Sequence, residues 1–272
     1  MAHLHVNMMS GGIASWAAGK LVAAQHGTEN LIHLFADTNW EDEDLYRFLP
    51  EAVANIGGKL VRIADGRTPW QVFRDERLLG NTRIDPCSKI LKRELVRAWL
   101  KEKVDPATTT VYVGIAWHER DRFLGDPSRP DRVGIRDRWL PYRCEAPLLE
   151  DPHLSRNAMF AWLAREGIDP PRLYEQKFPH NNCRGACVKA GHAQWALLLR
   201  TNPETFAEAE REEEALRTYL GKDVAILRDR RGGTTKPLPL KVFRQRQEEG
   251  EKCDLLDWGK GCQCFFGDDE TT

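Results

Sequence analysis

Between residues 3 and 115, short runs rich in branched and aromatic side chains alternate with helical stretches, and this alternation restricts the chain to a mainly parallel sheet covered by helices. Parallel neighbours need a long crossover, which the helices supply. Strands are predicted over 3–9, 31–36, 60–63 and 109–115, and helices over 13–25, 42–56, 68–77 and 88–103. Thr68-Pro69 reads as an N-cap followed by proline at the first helical position. The expected fold class is α/β, a doubly wound, mainly parallel sheet. Residues 1–150 would form a nucleotide-binding core, and residues 151–272 a helical, cysteine-rich extension.

The rhythm breaks at 118–143, where arginines, aspartates and prolines predict a mobile surface loop. Helices follow over 155–167, 190–199 and 203–220, with a short strand at 224–227. At 272 residues, with 41% hydrophobic and 30% charged residues, composition excludes bulk disorder. A formal charge of −1 gives no global attraction to a polyanion, so a nucleic-acid partner would need a local patch. Two stretches have that character: Arg120, Arg122, Arg129, Arg132, Arg136 and Arg138, and Arg228 to Arg231 with Lys236. No apolar run is long enough to span a bilayer and the first residues lack a signal-peptide layout, so a cytoplasmic protein without a membrane partner is expected.

Ser10-Gly11-Gly12-Ile13-Ala14-Ser15 falls between the first strand and first helix. Glycines there let backbone N–H groups turn toward an anion, and the helix dipole adds positive potential. A plain connecting turn is the bland alternative. The motif is neither the GxxxxGK[ST] nor the GxGxxG loop. Seven cysteines, Cys87, Cys144, Cys183, Cys187, Cys253, Cys262 and Cys264, are unevenly spaced, and in a reducing compartment such clusters are metal or redox sites more often than disulfides. Cys183 and Cys187 can aim both thiols at one metal, iron–sulfur or zinc. Cys144 and Cys253 read as ordinary thiols.

The loop resembles the SGGxxS loop of the PP-loop ATP pyrophosphatases, with Ala14 where those proteins carry an acidic residue. Asp37-Thr38, Cys87-Ser88-Lys89-Ile90-Leu91-Lys92, Gly114-Ile115 with Glu119 and Arg122, and Pro170-Pro171-Arg172-Leu173-Tyr174 before Cys183 narrow the resemblance to the phosphoadenosine phosphosulfate (PAPS) reductase family. Phage and prophage proteins of that type share the closing Gly-Cys-x-Cys-Phe.

The resemblance implies a PP-loop fold that binds an adenine nucleotide, ATP with Mg2+ or PAPS, through Ser10, Gly11, Gly12, Ser15, Asp37, Thr38, Lys89, Gly114 and Arg122. It implies Lys92 as a catalytic cation and a [4Fe–4S] cluster, with zinc as alternative, on Cys87, Cys183, Cys187 and Cys262, leaving Cys264 as the sulfur-carrying catalytic thiol. Pro86, where the iron–sulfur branch has a cysteine, and the CxxxC spacing depart from that branch. Three functions follow. The first is adenylation of an acceptor for sulfur transfer, with tRNA or DNA as acceptor and a cysteine desulfurase upstream. The second is reduction of PAPS or adenylylsulfate by a thiol reductant. The third is a nucleotide sensor without turnover. An oligomer is compatible with each.

Overall fold

The computed structural model describes residues 2–126, 128, 133–251 and 256–259. Two compact units interleave along the chain: Met1–Asp37, Glu43–Ala64 and Glu94–Arg172 form the first, and Thr38–Asp42, Asp65–Arg93 and Leu173–Thr272 the second.

The first unit is built on five parallel strands, β1 (Leu4–Met8), β2 (Leu31–Asp37), β3 (Lys59–Ala64), β4 (Thr109–Tyr112) and β5 (Arg143–Glu145), in the order β3-β2-β1-β4-β5. The chain winds outward from β1 to β3 and returns to β4, so the order reverses beside β1. Right-handed crossovers in the two directions place helices on both faces. Helix α1 (Ile13–His26) is buried almost all round, and Gly19 lets it approach the sheet: a Cβ there would lie 2.8 Å from Asn7 Nδ2 and 2.9 Å from Ile56 Cδ1. Helix α2 (Glu43–Ile56) buries Leu45, Phe48, Leu49, Ala52, Val53 and Ile56, the spacing of one helical face.

The second unit packs Trp195, Phe206, Leu216, Ile226, Leu240 and Phe243 into one core. They come from helices His192–Thr201, Pro203–Leu220 and Leu240–Glu248 and the segment entering an antiparallel hairpin of β6 (Leu227–Asp229) and β7 (Lys236–Leu238). Helix α3 (Pro69–Asp75) starts on a reciprocal capping box, with the Thr68 N–H donating to Gln71 Oε1 at 2.7 Å and the Gln71 N–H to Thr68 Oγ1 at 3.4 Å.

Three sequence expectations are corrected. The helix expected over 88–103 contains a π-helical stretch, Lys89–Glu94, whose wider turn brings Leu91, Lys92 and Arg93 inward together. The expected loop at 118–143 carries the short helices Arg120–Leu124 and Ile135–Arg138 and buries Phe123, Ile135, Trp139 and Tyr142, because its apolar residues are spaced to reach a core between the charges. It then runs into β5, which places Cys144 in the sheet. The strand expected at 224–227 begins at Leu227 and belongs to the separate hairpin. No helix among the described residues is long and apolar enough to cross a membrane.

Candidate functional site

In the first unit the Ser10–Ser15 loop leaves the carboxyl end of β1 and opens α1, the place where open α/β sheets bind ligands. Its shape is fixed by one hydroxyl. Ser15 Oγ donates to the Gly12 carbonyl at 2.8 Å and accepts from the Ser10 N–H and Ser10 Oγ, both at 3.2 Å. Gly11 takes a φ of +74°, and a Cβ there would lie 2.9 Å from Leu45 Cγ, so only glycine makes the turn. Gly114 lies against the loop backbone, where a Cβ would be 2.7 Å from Ala14 C and Ser15 N. Beneath the loop, Asn7 donates to the Ser15 carbonyl at 3.1 Å and lies 3.1 Å from His33 Nδ1. Burial holds His33 below the usual imidazole range. Asn7 has no motif signature, and the sequence reading missed it.

Asp37 ends β2 fully buried. Tyr46 donates to its Oδ1 at 2.8 Å, Arg62 pairs with its Oδ2, and the Arg62 guanidinium lies 5.1 Å over the Tyr46 ring. Tyr46 and Arg62 were also missed. Arg122 is ion-paired to Glu119. The loop itself is built from glycines and neutral hydrogen bonds, whereas Asp37 is held by a tyrosine hydroxyl and an arginine.

The second unit contains a different centre. Thr38, expected beside a nucleotide, is buried and donates to Glu41 Oε1 at 3.1 Å. That oxygen also accepts from Lys92 Nζ at 3.1 Å, while Oε2 accepts the Cys183 N–H at 2.6 Å. Lys92 is 2% exposed. Burial works against its charge, but Glu41 and the Cys183 and Cys87 sulfurs raise it above the ordinary lysine value. Lys89 is exposed. Cys183 and Arg184 take φ values of 57° and 52°, followed by Gly185 at 80°. Left-handed backbone at two non-glycine residues costs on the order of 1–3 kcal/mol each. The turn is held by the Glu41 carboxylate, by Gln194 donating to the Gly185 carbonyl at 2.8 Å, and by Arg184, 2.8 Å from Glu208 and 4.8 Å over the Trp40 ring.

Cys87, Cys183 and Cys187, all free, line one small cavity with Trp40, Trp70 and Lys189. The hydrogen bond between Cys183 and Cys187, with burial and Glu41, drives Cys183 well above the ordinary thiol value. It lowers Cys187, helped by the Lys189 N–H and the Lys189 and Lys92 charges. Burial, then Cys187 and Asp85, push Cys87 up to about 12. Asp85, buried and missed by the sequence reading, sits 3.6 Å from Arg93 and 3.7 Å from Lys189.

The three thiols share the lining of this cavity, although the described residues do not fit the expected cluster as arranged. No group of three or more His, Cys, Asp and Glu side chains among them is set to hold a metal ion, and the cavity of about 20 Å³ has the room of about one water. Cys253, Cys262, Cys264, Arg129 and Arg132 lie outside the described residues. Within the two basic stretches, Arg122 pairs with Glu119, Arg136 with Asp137, Arg230 with Asp257, and Arg231 with Asp229 and Glu251.

Fold and site together define an α/β protein with a glycine loop at the topological switch of a parallel sheet. No family model matches the chain, and no curated protein matches it at a significant level. Among solved structures it is similar to the crystal structure of phosphoadenylyl-sulfate (PAPS) reductase from Candida auris, phosphate complex, with 11% sequence identity and a TM-score of 0.45, covering 64% of this chain and 78% of that chain. A likeness of that degree carries no conclusion about activity here.

Proposed function

We propose that the chain is an adenine-nucleotide-dependent sulfurtransferase. ATP, as its magnesium complex, is split to AMP and pyrophosphate, an acceptor oxygen is adenylated, and sulfur displaces AMP. The observation that carries this reading is the Ser10–Ser15 loop, complete and locked by Ser15 at the α1 N-terminus. Backbone N–H groups and the helix dipole there suit the phosphates, with Arg122 as a further cation. Asp37, held by Tyr46, suits a ribose hydroxyl. Adenylation is the reason to use ATP, since a bare oxygen is a poor leaving group and AMP a good one.

In the same reading Lys92 keeps a positive charge beside the thiols, Cys264 passes sulfur to the acceptor, the acceptor is a nucleic acid, tRNA or DNA, and a cysteine desulfurase supplies the sulfur. No step runs through an iron–sulfur cluster or zinc, which the described thiols do not fit as arranged. A second reading, reduction of PAPS or adenylylsulfate to sulfite, is favoured by Cys187, whose lowered thiol suits a nucleophile on sulfur. Anaerobic incubation with ATP and Mg2+, and separately with PAPS and a thiol reductant, separates the two by nucleotide chromatography. AMP with pyrophosphate supports sulfur transfer. Adenosine bisphosphate with sulfite, and untouched ATP, overturns it in favour of the reductase.

A further inference from the structure

A second cavity lies wholly in the second unit, between His192 at the start of its helix, the β6–β7 hairpin, the last helix Leu240–Glu248 and Asp257. At about 310 Å³ it stands at the lower end of pockets that take small organic ligands, about 300–1,000 Å³. It shares no residue with the thiol cavity. Four arginines and three carboxylates line it, and the buried side chains of Leu238 and Phe243 give it an apolar wall.

The ion pairs orient these arginines without using all of their donors. Asp229 accepts from Nε and Nη2 of Arg231 at 2.8 and 2.7 Å and from Nη1 of Arg246 at 2.9 Å, so one carboxylate sets two guanidiniums side by side. Arg230 reaches Asp257 through Nη1 alone, at 3.5 Å. Among the described residues the half-buried Arg228 side chain has no acidic partner, while its carbonyl lies 3.0 Å from His192 Nε2. The one positive charge in excess over the carboxylates therefore falls at Arg228. A guanidinium carries five N–H donors, and those left on Arg228, Arg230 and Arg246 come from three chain positions. A carboxylate is satisfied by a single fork, whereas the oxygens of a phosphate accept from several guanidiniums at once.

We propose that this cavity binds a phosphate ester of nucleotide size, its phosphate taken by Arg228, Arg230 and Arg246 and its sugar or base lying on Leu238 and Phe243. A free nucleotide and a nucleotide unit of a nucleic acid offer this same chemistry. The pocket is separate from the Ser10–Ser15 loop, which belongs to the other unit, and it stands or falls apart from the sulfur-transfer reading.

The test is photocrosslinking of the full-length chain with iodouridine monophosphate, and separately with a short single-stranded oligonucleotide carrying iodouridine, followed by peptide mass mapping. The expected result is attachment to the peptides bearing His192 or Phe243. Labelling by the monophosphate identifies a pocket for a free nucleotide, and labelling by the oligonucleotide alone identifies a nucleic-acid site. Iodouridine without its phosphate should label these peptides roughly tenfold less, the loss of hydrogen bonds between charged groups. Arg228→Gln should lower labelling by the effective probe to a similar degree, and Arg228→Lys, which keeps the charge but not the fork, by less. Neither variant leaves a described carboxylate unpaired, and the comparison of nucleoside with nucleotide on the wild-type chain decides the point whatever their folding. No labelling of these peptides by either probe, labelling as strong without the phosphate, or labelling unchanged in Arg228→Gln overturns the proposal and leaves the arginines as an ion-pair network of the hairpin.

Discussion

The two centres are held in shape by opposite means. The Ser10–Ser15 loop is fixed by residues within six positions of one another, by glycine and by uncharged hydrogen bonds. The Cys183–Cys187 turn is fixed by charges brought from far along the chain: Glu41 lies 142 positions from Cys183 and 51 from Lys92. A locally determined loop tolerates changes elsewhere in its fold. A strained turn held by a buried carboxylate depends on that single group.

Glu41→Ala is the sharpest way to break the comparison. It leaves Lys92 buried without its carboxylate and removes the acceptor of the Cys183 N–H. Losing one partner of a buried pair costs about 3–5 kcal/mol. Urea denaturation should show a loss of this order, with a smaller loss for Glu41→Gln, which retains an acceptor for the Cys183 N–H. A change below about 1 kcal/mol for Glu41→Ala would show that the turn stands without it.

The units should also respond to pH with opposite sign. In the second unit Glu213, 1% exposed, accepts the Ile226 N–H at 2.8 Å and the Leu240 N–H at 2.6 Å, joining the long helix to the hairpin and last helix. Burial raises its carboxyl to about 7 from 4.5, although the two N–H donors oppose the shift. Its folded value lies above its unfolded one, so its stabilising contribution is full below pH 4.5 and is lost as pH rises through 7. The span corresponds to roughly 3 kcal/mol at most. In the first unit His5 is lowered from 6.5 to about 4 by burial, His26 and His3. It binds its proton more readily unfolded, so its contribution is present above pH 6.5 and is lost as pH falls toward 4. Denaturation at pH 5, 6.5 and 8 should therefore lose its rising-pH penalty in Glu213→Gln and its acid-side penalty in His5→Gln. A profile unchanged in both variants would refute the assignment.

Gly114→Ala tests the neutral centre. The added methyl would sit 2.7 Å from the loop backbone at Ala14 and Ser15, and backbone cannot yield as a side-chain tip can. Overpacking of this kind costs about 1–3 kcal/mol. Nucleotide turnover should fall more than the thermal midpoint suggests, because the displaced atoms belong to the loop proposed to hold the phosphates. An equal loss of turnover and stability would place Gly114 in packing alone.

The same contrast explains what was legible in the sequence. The sheet, α1, α2 and the glycine loop follow from periodicity and from residues adjacent in sequence. So does the cap at Thr68. Cys183 and Cys187 announced themselves by spacing, and Cys87 was joined to them through a family resemblance. Glu41, Asp85 and Lys189 did not, since single charged residues among many carry no pattern, and only the fold shows that they are buried. The π-helical turn at Lys89–Glu94 was equally hidden, because its residues are ordinary helix formers and the widened turn answers to tertiary packing of Lys92 and Arg93.

The smallest effect sharpens the contrast from within the second unit. Thr68 and Gln71 form a reciprocal cap three residues apart, a local device in a unit whose thiol centre is held from a distance. Thr68→Ala removes one side-chain acceptor at a solvent-exposed helix start, worth about 1 kcal/mol. Water can replace that bond, as it cannot replace the Glu41 bond to the buried Cys183 turn. The denaturation midpoint should move by about a third or less of the shift in Glu41→Ala. If Thr68→Ala instead cost as much as Glu41→Ala, the second unit would owe its stability to a local signal after all.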